Sequence, residues 1–162
     1  MPTISLARID DRLIHGQVVI KWIRAVPCEE ILVCDDQVRA DSFLQRVLSL
    51  AAPPTARLTV QSVAESLSYL ADKGSSPRVM LLMKAPCTAL ALLRGGVWFD
   101  KLNVGGMAAG PGTKRLYKSI SATLEQIAEL KEIRRLGVRI MLQTVPEPEE
   151  SALDFDTLLS RL

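Results

Sequence analysis

The chain has a single histidine, His15, and only three cysteines among its 162 residues. Cys28, Cys34 and Cys87 are odd in number and scattered, so they make neither a disulfide framework nor a zinc-ligand spacing. Long hydrophobic runs are missing too. The most apolar stretch, VMLLMKAPCTALALL, is interrupted by Lys84 and Pro86 and is too short to span a bilayer. Residues 2–12 carry acids where a secretory signal needs apolar side chains. Neither sign of charge dominates: Lys and Arg total 20, Asp and Glu 18, for a net charge of +2. No dense basic block stands out, so bulk charge gives no argument for nucleic acid, while a local anion site remains compatible with it. A G-x-S-x-G elbow is absent, which argues against a Ser-His-Asp hydrolase. No internal repeat and no long linker divides the chain, so one domain over residues 1–162 is expected. Together these absences predict a soluble cytoplasmic protein without a metal site.

What is present is a hydrophobic fraction of 48%, enough for a substantial core. Short apolar runs alternate with amphipathic ones. Strands are predicted at 3–9, 30–36, 57–61, 78–83, 101–106 and 138–145, with a short further strand at 115–120. Helices are predicted at 15–25, 39–51, 62–72, 86–94 and 123–137, with a last one at 152–162. Pro86 opens one helix and Gly95-Gly96 close it, as helix-end chemistry requires. In 123–137, Leu124, Ile127, Leu130, Ile133 and Leu136 form the expected buried stripe, with Gly137 as cap. Alternation of this kind predicts a single α/β domain. Its open, mostly parallel sheet has about seven strands and helices on both faces.

In such sheets ligands sit beyond the carboxyl ends of the strands. His15 falls there, in the loop between the first strand and the first helix. Asp35 and Asp36, Lys84, Asn103 to Gly106, and Gln143 to Thr144 are expected on the same rim. A lone imidazole at this place has a plain reading, as a helix-capping or partly buried side chain. It also has a chemical one, as a nucleophile toward phosphorus. The second needs a cation, backbone N–H donors at a helix start, and an acid that orients the ring.

RIDDRLIHGQV, residues 8–18, contains all three. Arg12 is the expected clamp for phosphoryl oxygens, its alternative being a surface ion pair with Asp10 or Asp11. One of the two aspartates is expected to hold the ring or Arg12, with Asp10 favoured, and the other to cap the helix. Arg8 is read as a second phosphate cation or as the ion-pair partner of a strand-end acid such as Asp35. Gly16 and Gln17 offer amides, and Gly105 and Gly106 suit a loop packed near the phosphate. GMAAGPGTK has the wrong spacing for a nucleotide-cradling P-loop. Lys84 is a more distant anion contact. Cys87, at a helix start, is a minor candidate nucleophile. Trp22 is expected in the core.

RIDDRLIHGQV followed by Trp22 resembles the IIB component of the mannose/fructose/sorbose class of the bacterial phosphoenolpyruvate-dependent sugar phosphotransferase system. ILVCDD, LNVGGM with GTKRLYKSI, and LKEIRRLGVRIMLQTVP extend the resemblance over nearly the whole chain. The resemblance implies that His15 accepts a phosphoryl group from a IIA phosphohistidine, on Nδ1 as in relatives. It further implies transfer to a sugar held by membrane IIC and IID subunits, at the inner face of the membrane. No metal or cofactor is implied, and self-association is left open. Two other readings stay open beside it. One is a regulatory homologue phosphorylated on His15 without transport, the other a non-catalytic module that binds small anions.

Overall fold

The structure is a computed structural model, described here for residues 1–146 and 152–162. Its central sheet has seven strands in the order β3-β2-β4-β1-β5-β8-β9. They are β1 (Thr3–Asp10), β2 (Glu30–Cys34), β3 (Arg57–Gln61), β4 (Arg78–Met83), β5 (Lys101–Gly106), β8 (Arg139–Leu142) and β9 (Leu153–Asp154). Every pairing is parallel except that of β8 with β9. The alternating pattern therefore does produce a single, mostly parallel α/β domain.

Two apolar layers sandwich the sheet. On one face α1 (Gly16–Ala25) and α3 (Ser42–Ala51) cover Ile31, Val33, Met80 and Leu82. On the other, α4 (Val63–Ala71), α5 (Pro86–Arg94), α6 (Leu124–Arg135) and α7 (Phe155–Ser160) cover Leu32, Leu81, Leu102, Val104 and Ile140. The unbroken apolar run of β4 follows from this, since Val79 through Met83 are buried from both sides. Helix starts are fixed by local chemistry. Ser62 and Glu65 form a capping box on α4, and Thr123 and Gln126 form one on α6.

Strand β1 lies between β4 and β5, and its outgoing helix α1 packs on the face opposite α5. The direction of the connections thus reverses beside β1, which opens a crevice at its carboxyl end. The β1–α1 loop sits at that crevice.

Several boundaries differ from expectation. The acids after β2 do not continue the strand: Asp35 caps a short helix, α2 (Asp36–Arg39), by accepting from the Val38 amide. The expected strand at 115–120 spans a turn at Lys118. The chain there forms an antiparallel ribbon of β6 (Thr113–Tyr117) and β7 (Ile120–Thr123). The segment 152–162, expected as one last helix, begins with β9, which closes the sheet edge before α7 starts. Leu124 does not join the buried stripe of α6 and is 80% exposed, because it stands at the first helical position, outside the contact with the sheet. On α3, Leu48 is buried while Phe43, Val47 and Leu50 face outward.

Candidate functional site

The chain leaves β1 at Asp10 and turns at once, with the Leu13 amide donating to the Asp10 carbonyl at 2.8 Å. Leu13 adopts a left-handed φ of 57°, which costs an L-residue about 1–2 kcal/mol. Leu13 and Ile14 are both buried in the α1-side core. Burying two such side chains contributes roughly 3–6 kcal/mol, so anchoring outweighs the strain. The loop is thereby pinned on both sides of its turn. His15 follows as the N-cap of α1, in extended conformation, with its side chain 25% exposed.

Asp10 is the hub. Its carboxylate is buried, and Oδ2 lies 3.1 Å from Nε2 of His15 and 3.0 Å from Nη2 of Arg8. Arg12 binds it sideways, with Nε 3.1 Å from Oδ1 and Nη2 3.3 Å from Oδ2. The Arg12 amide adds a further bond to Oδ1 at 3.1 Å. Burial alone pushes the Asp10 pKa up, but the Arg12 hydrogen bond and the Arg8 charge outweigh it and hold the group below the usual carboxylate range. An ionised carboxylate only accepts hydrogen bonds, so Nε2 of His15 carries the proton and donates it to Asp10. Nδ1 is left with its lone pair.

The positive side of the site has two sources. Arg12 is 47% exposed and uses Nε and Nη2 on Asp10, leaving Nη1 for an incoming group. The first turn of α1 contains no acid, and no side chain caps it. Its amides, at the exposed Gly16 and Gln17, are therefore available to an anion. Gly16 has a φ of 47°, and a Cβ there would meet nothing within 4 Å, so the approach is open.

The structure sets the surroundings of the other expected site residues and corrects one of them, Asp11. Of its two readings, Arg8 takes the ion pair with a strand-end acid. It is only 1% exposed and is paired with Asp10 rather than Asp35. Asp11 does not cap α1; its Oδ2 accepts from the Ala108 amide at 2.7 Å and ties the loop after β5 to the β1–α1 loop. Gly105 and Gly106 end β5 against the side chains of Arg8, Asp10 and Arg12. They are buried and make room: a Cβ on Gly105 would collide with the Arg8 guanidinium, and one on Gly106 would lie 2.8 Å from Oδ1 of Asp10. Of the other rim residues, Asn103, Gln143 and Thr144 converge on Arg8. Asp36 instead accepts from the Val63 amide at the start of α4. Trp22 is in the core as expected, and its Nε1 donates to the Thr144 carbonyl at 3.0 Å. The convergence of Asn103 and Thr144 on Arg8 carries no local sequence signal, because it depends on the order of β1, β5 and β8 in the sheet.

Cys87 is exposed at the first turn of α5, and Cys28 and Cys34 are buried. Among the described residues no cluster of His, Cys, Asp and Glu could hold a metal ion, and no helix is long and apolar enough to cross a membrane.

Comparisons with known proteins give the chain a family and its fold solved counterparts. Residues 4–161 match a family model described as the PTS system sorbose subfamily IIB component. The sorbose-specific EIIB component of Klebsiella pneumoniae is 37% identical over 153 residues, covering 93% of each chain. The mannose-specific EIIAB component of Escherichia coli K12 is 35% identical over 153 residues, covering 93% of this chain and 47% of that one. Among solved structures, manxB of Thermoanaerobacter tengcongensis superposes with a TM-score of 0.93 at 32% identity, covering 99% of this chain and 97% of the other.

Proposed function

Because the chain belongs to the sorbose subfamily of phosphotransferase-system IIB components, we propose that His15 is the acceptor of the phosphoryl group it carries. IIB components of this family are phosphotransferases that take a phosphoryl group from IIA and transfer it to sugar. The observation that carries the residue assignment is the bond from Nε2 of His15 to a buried, doubly arginine-paired Asp10. It leaves Nδ1 as the nucleophile at the open mouth of the crevice.

In the first transfer, Nδ1 attacks the phosphorus of the donor phosphohistidine. The donor N–P bond breaks as the Nδ1–P bond forms, and the Nε2 proton stays in place. Positive charge developing on the ring is balanced by Asp10. The phosphoryl oxygens meet Nη1 of Arg12 and the amides of Gly16 and Gln17. In the second transfer a sugar hydroxyl attacks the same phosphorus, the Nδ1–P bond breaks so that Nδ1 regains its lone pair, and the hydroxyl proton passes to a base on the sugar-binding subunits or to water.

The donor is a IIA protein, a reading supported by the relative whose name joins IIA and IIB in one EIIAB component. The acceptor side consists of membrane IIC and IID subunits with their sugar. One IIB domain over residues 1–162 thus works in the cytoplasm at the inner face of the membrane. Incubation with phosphoenolpyruvate, Enzyme I, HPr and a cognate IIA protein tests the assignment. Acid-labile, base-stable label that is lost in His15→Ala supports it, and label retained in that variant overturns it. Sugar-dependent loss of label in membranes containing IIC and IID then separates transport from a purely regulatory role.

A further inference from the structure

Arg8 is left without a part in the transfer just described, yet it is the most elaborately held side chain near the site. Its guanidinium is 1% exposed. Nη1 donates to Oδ1 of Asn103 and, at 3.1 Å, to the Gln143 carbonyl. Nη2 donates to Oδ2 of Asp10 at 3.0 Å and to the Thr144 carbonyl at 2.9 Å. All four hydrogens of the two terminal nitrogens are therefore committed. They reach β1 itself, β5, and the chain leaving β8. The cation also lies 5.1 Å from the centroid of the Trp22 ring, and Trp22 donates to the same Thr144 carbonyl.

We propose that Arg8 is a positioning residue: it fixes Oδ2 of Asp10 opposite Nε2 of His15 and so decides which imidazole nitrogen faces the phosphoryl group. The consequence for rate rests on His15 being the acceptor; the consequence for the ring does not. Three observations carry the assignment. Oδ2 of Asp10 accepts from both Arg8 and His15, with Nη2 of Arg12 a longer third partner at 3.3 Å. The two arginines on Asp10 differ in kind, since Arg12 is half exposed and Arg8 is sealed by four acceptors. Arg12 is free to adjust to an arriving dianion, while Arg8 remains on the carboxylate. Finally, desolvating a guanidinium costs several kcal/mol, and an apolar side chain commonly serves a packing role as well or better. A buried fork aimed at one oxygen of the acid fits the requirement for fixed geometry.

The test uses the intact unphosphorylated protein. Two-dimensional proton–nitrogen correlation spectra at about pH 9, above the ordinary imidazole range, report the His15 tautomer in wild type, Arg8→Met and Asn103→Ala. Wild type is expected to hold the proton on Nε2. Arg8→Met is expected to show a mixture of both tautomers. Its kcat for phosphorylation by phospho-IIA should fall on the order of 100-fold, as misplacement of a reacting group does, with KM little changed. Asn103→Ala frees only one arm of the fork and should move both readouts the same way by less; it keeps the test in force should Arg8→Met fail to fold. A double variant Arg8→Met/Asp10→Asn should be no slower than Asp10→Asn, since both act through one carboxylate. A wild-type tautomer in the folded variants overturns the proposal, as does a loss confined to KM or an additive double variant. If label persists in His15→Ala while the tautomer changes as stated, the acceptor assignment fails and the positioning role stands.

Discussion

Gly105 faces Arg8 so closely that a Cβ at this position would lie 2.0 Å from Nη1 and 2.1 Å from Cζ of the guanidinium. The arginine cannot yield, because its two terminal nitrogens are bound to four acceptors. Gly105→Ala is therefore expected to overpack the site and destabilise the fold by about 1–3 kcal/mol. Urea denaturation reads this as a lower midpoint at constant slope. A midpoint equal to wild type would mean that the guanidinium has room to move.

Arg12 offers the contrast. Its own side chain is 47% exposed, but its partner Asp10 is buried, so losing the pair leaves a buried carboxylate short of a donor and costs about 1–3 kcal/mol. Arg12→Ala should stay folded with a modestly lowered thermal midpoint, since Arg8 still pairs the Asp10 carboxylate. The single-turnover rate of phosphoryl transfer from phospho-IIA should nevertheless fall roughly 100–1,000-fold, the usual cost of removing a donor from developing charge. Arg12→Lys should recover only part of this, because an ammonium cannot hold Asp10 sideways and present a second arm as well. An unchanged rate in Arg12→Ala would remove it from the reaction.

Gly16 tests the backbone. Its φ of 47° is left-handed, but a Cβ there meets no atom within 4 Å. The cost of Gly16→Ala is thus conformational alone, about 1 kcal/mol. Asparagine tolerates this region better than alanine. Gly16→Asn should consequently be the more stable of the two variants by urea unfolding. The reverse order would point to a hidden steric conflict.

The acid limb of stability should carry the signature of Asp10. Burial raises its pKa, but the Arg12 hydrogen bond, the Arg8 charge and the His15 hydrogen bond prevail, so its folded value lies below the unfolded one. A group depressed in this way stabilises the fold fully above its unfolded pKa, roughly 3.9 for aspartate. That stabilisation is lost as pH falls through the folded value. The gap in unfolding free energy between wild type and Asp10→Asn should be constant near neutrality and shrink below about pH 4. A gap that widens on acidification would show that Asp10 is buried neutral.

Much of this site is legible in the chain because its chemistry is local. Asp10, Arg12, His15, Gly16 and Gln17 lie within eight residues, and strand-end position alone places them at a crevice. The alternation of apolar runs likewise yields the sheet and both helical layers. What local pattern misses is set by neighbours distant in sequence. Arg8 reads equally as a phosphate cation or an ion-pair partner until β5 and the exit of β8 are seen to enclose it. Gly105 and Gly106 read as a loop until their missing side chains prove to be the space that Arg8, Asp10 and Arg12 occupy. Asp11 looks equivalent to Asp10, yet the register of β5 gives it the Ala108 amide instead. The helix α2 escapes notice because a single turn is too short to show periodicity.

The cysteines allow the rival nucleophile to be tested chemically. Cys34 is fully buried, and burial pushes its thiol up to about 11. Cys28 is buried as well, with its pKa raised for the same reason. Thiolate is the reactive form, so both should be inert in the folded protein. Cys87 is exposed at the start of α5. A colorimetric disulfide reagent should therefore titrate one thiol quickly in the native protein, and all three after unfolding. Protein alkylated at Cys87, or carrying Cys87→Ser, should still accept label from phospho-IIA if, as proposed, Nδ1 of His15 is the acceptor. Loss of label in Cys87→Ser with the fold intact would move the acceptor from the start of α1 to the first turn of α5.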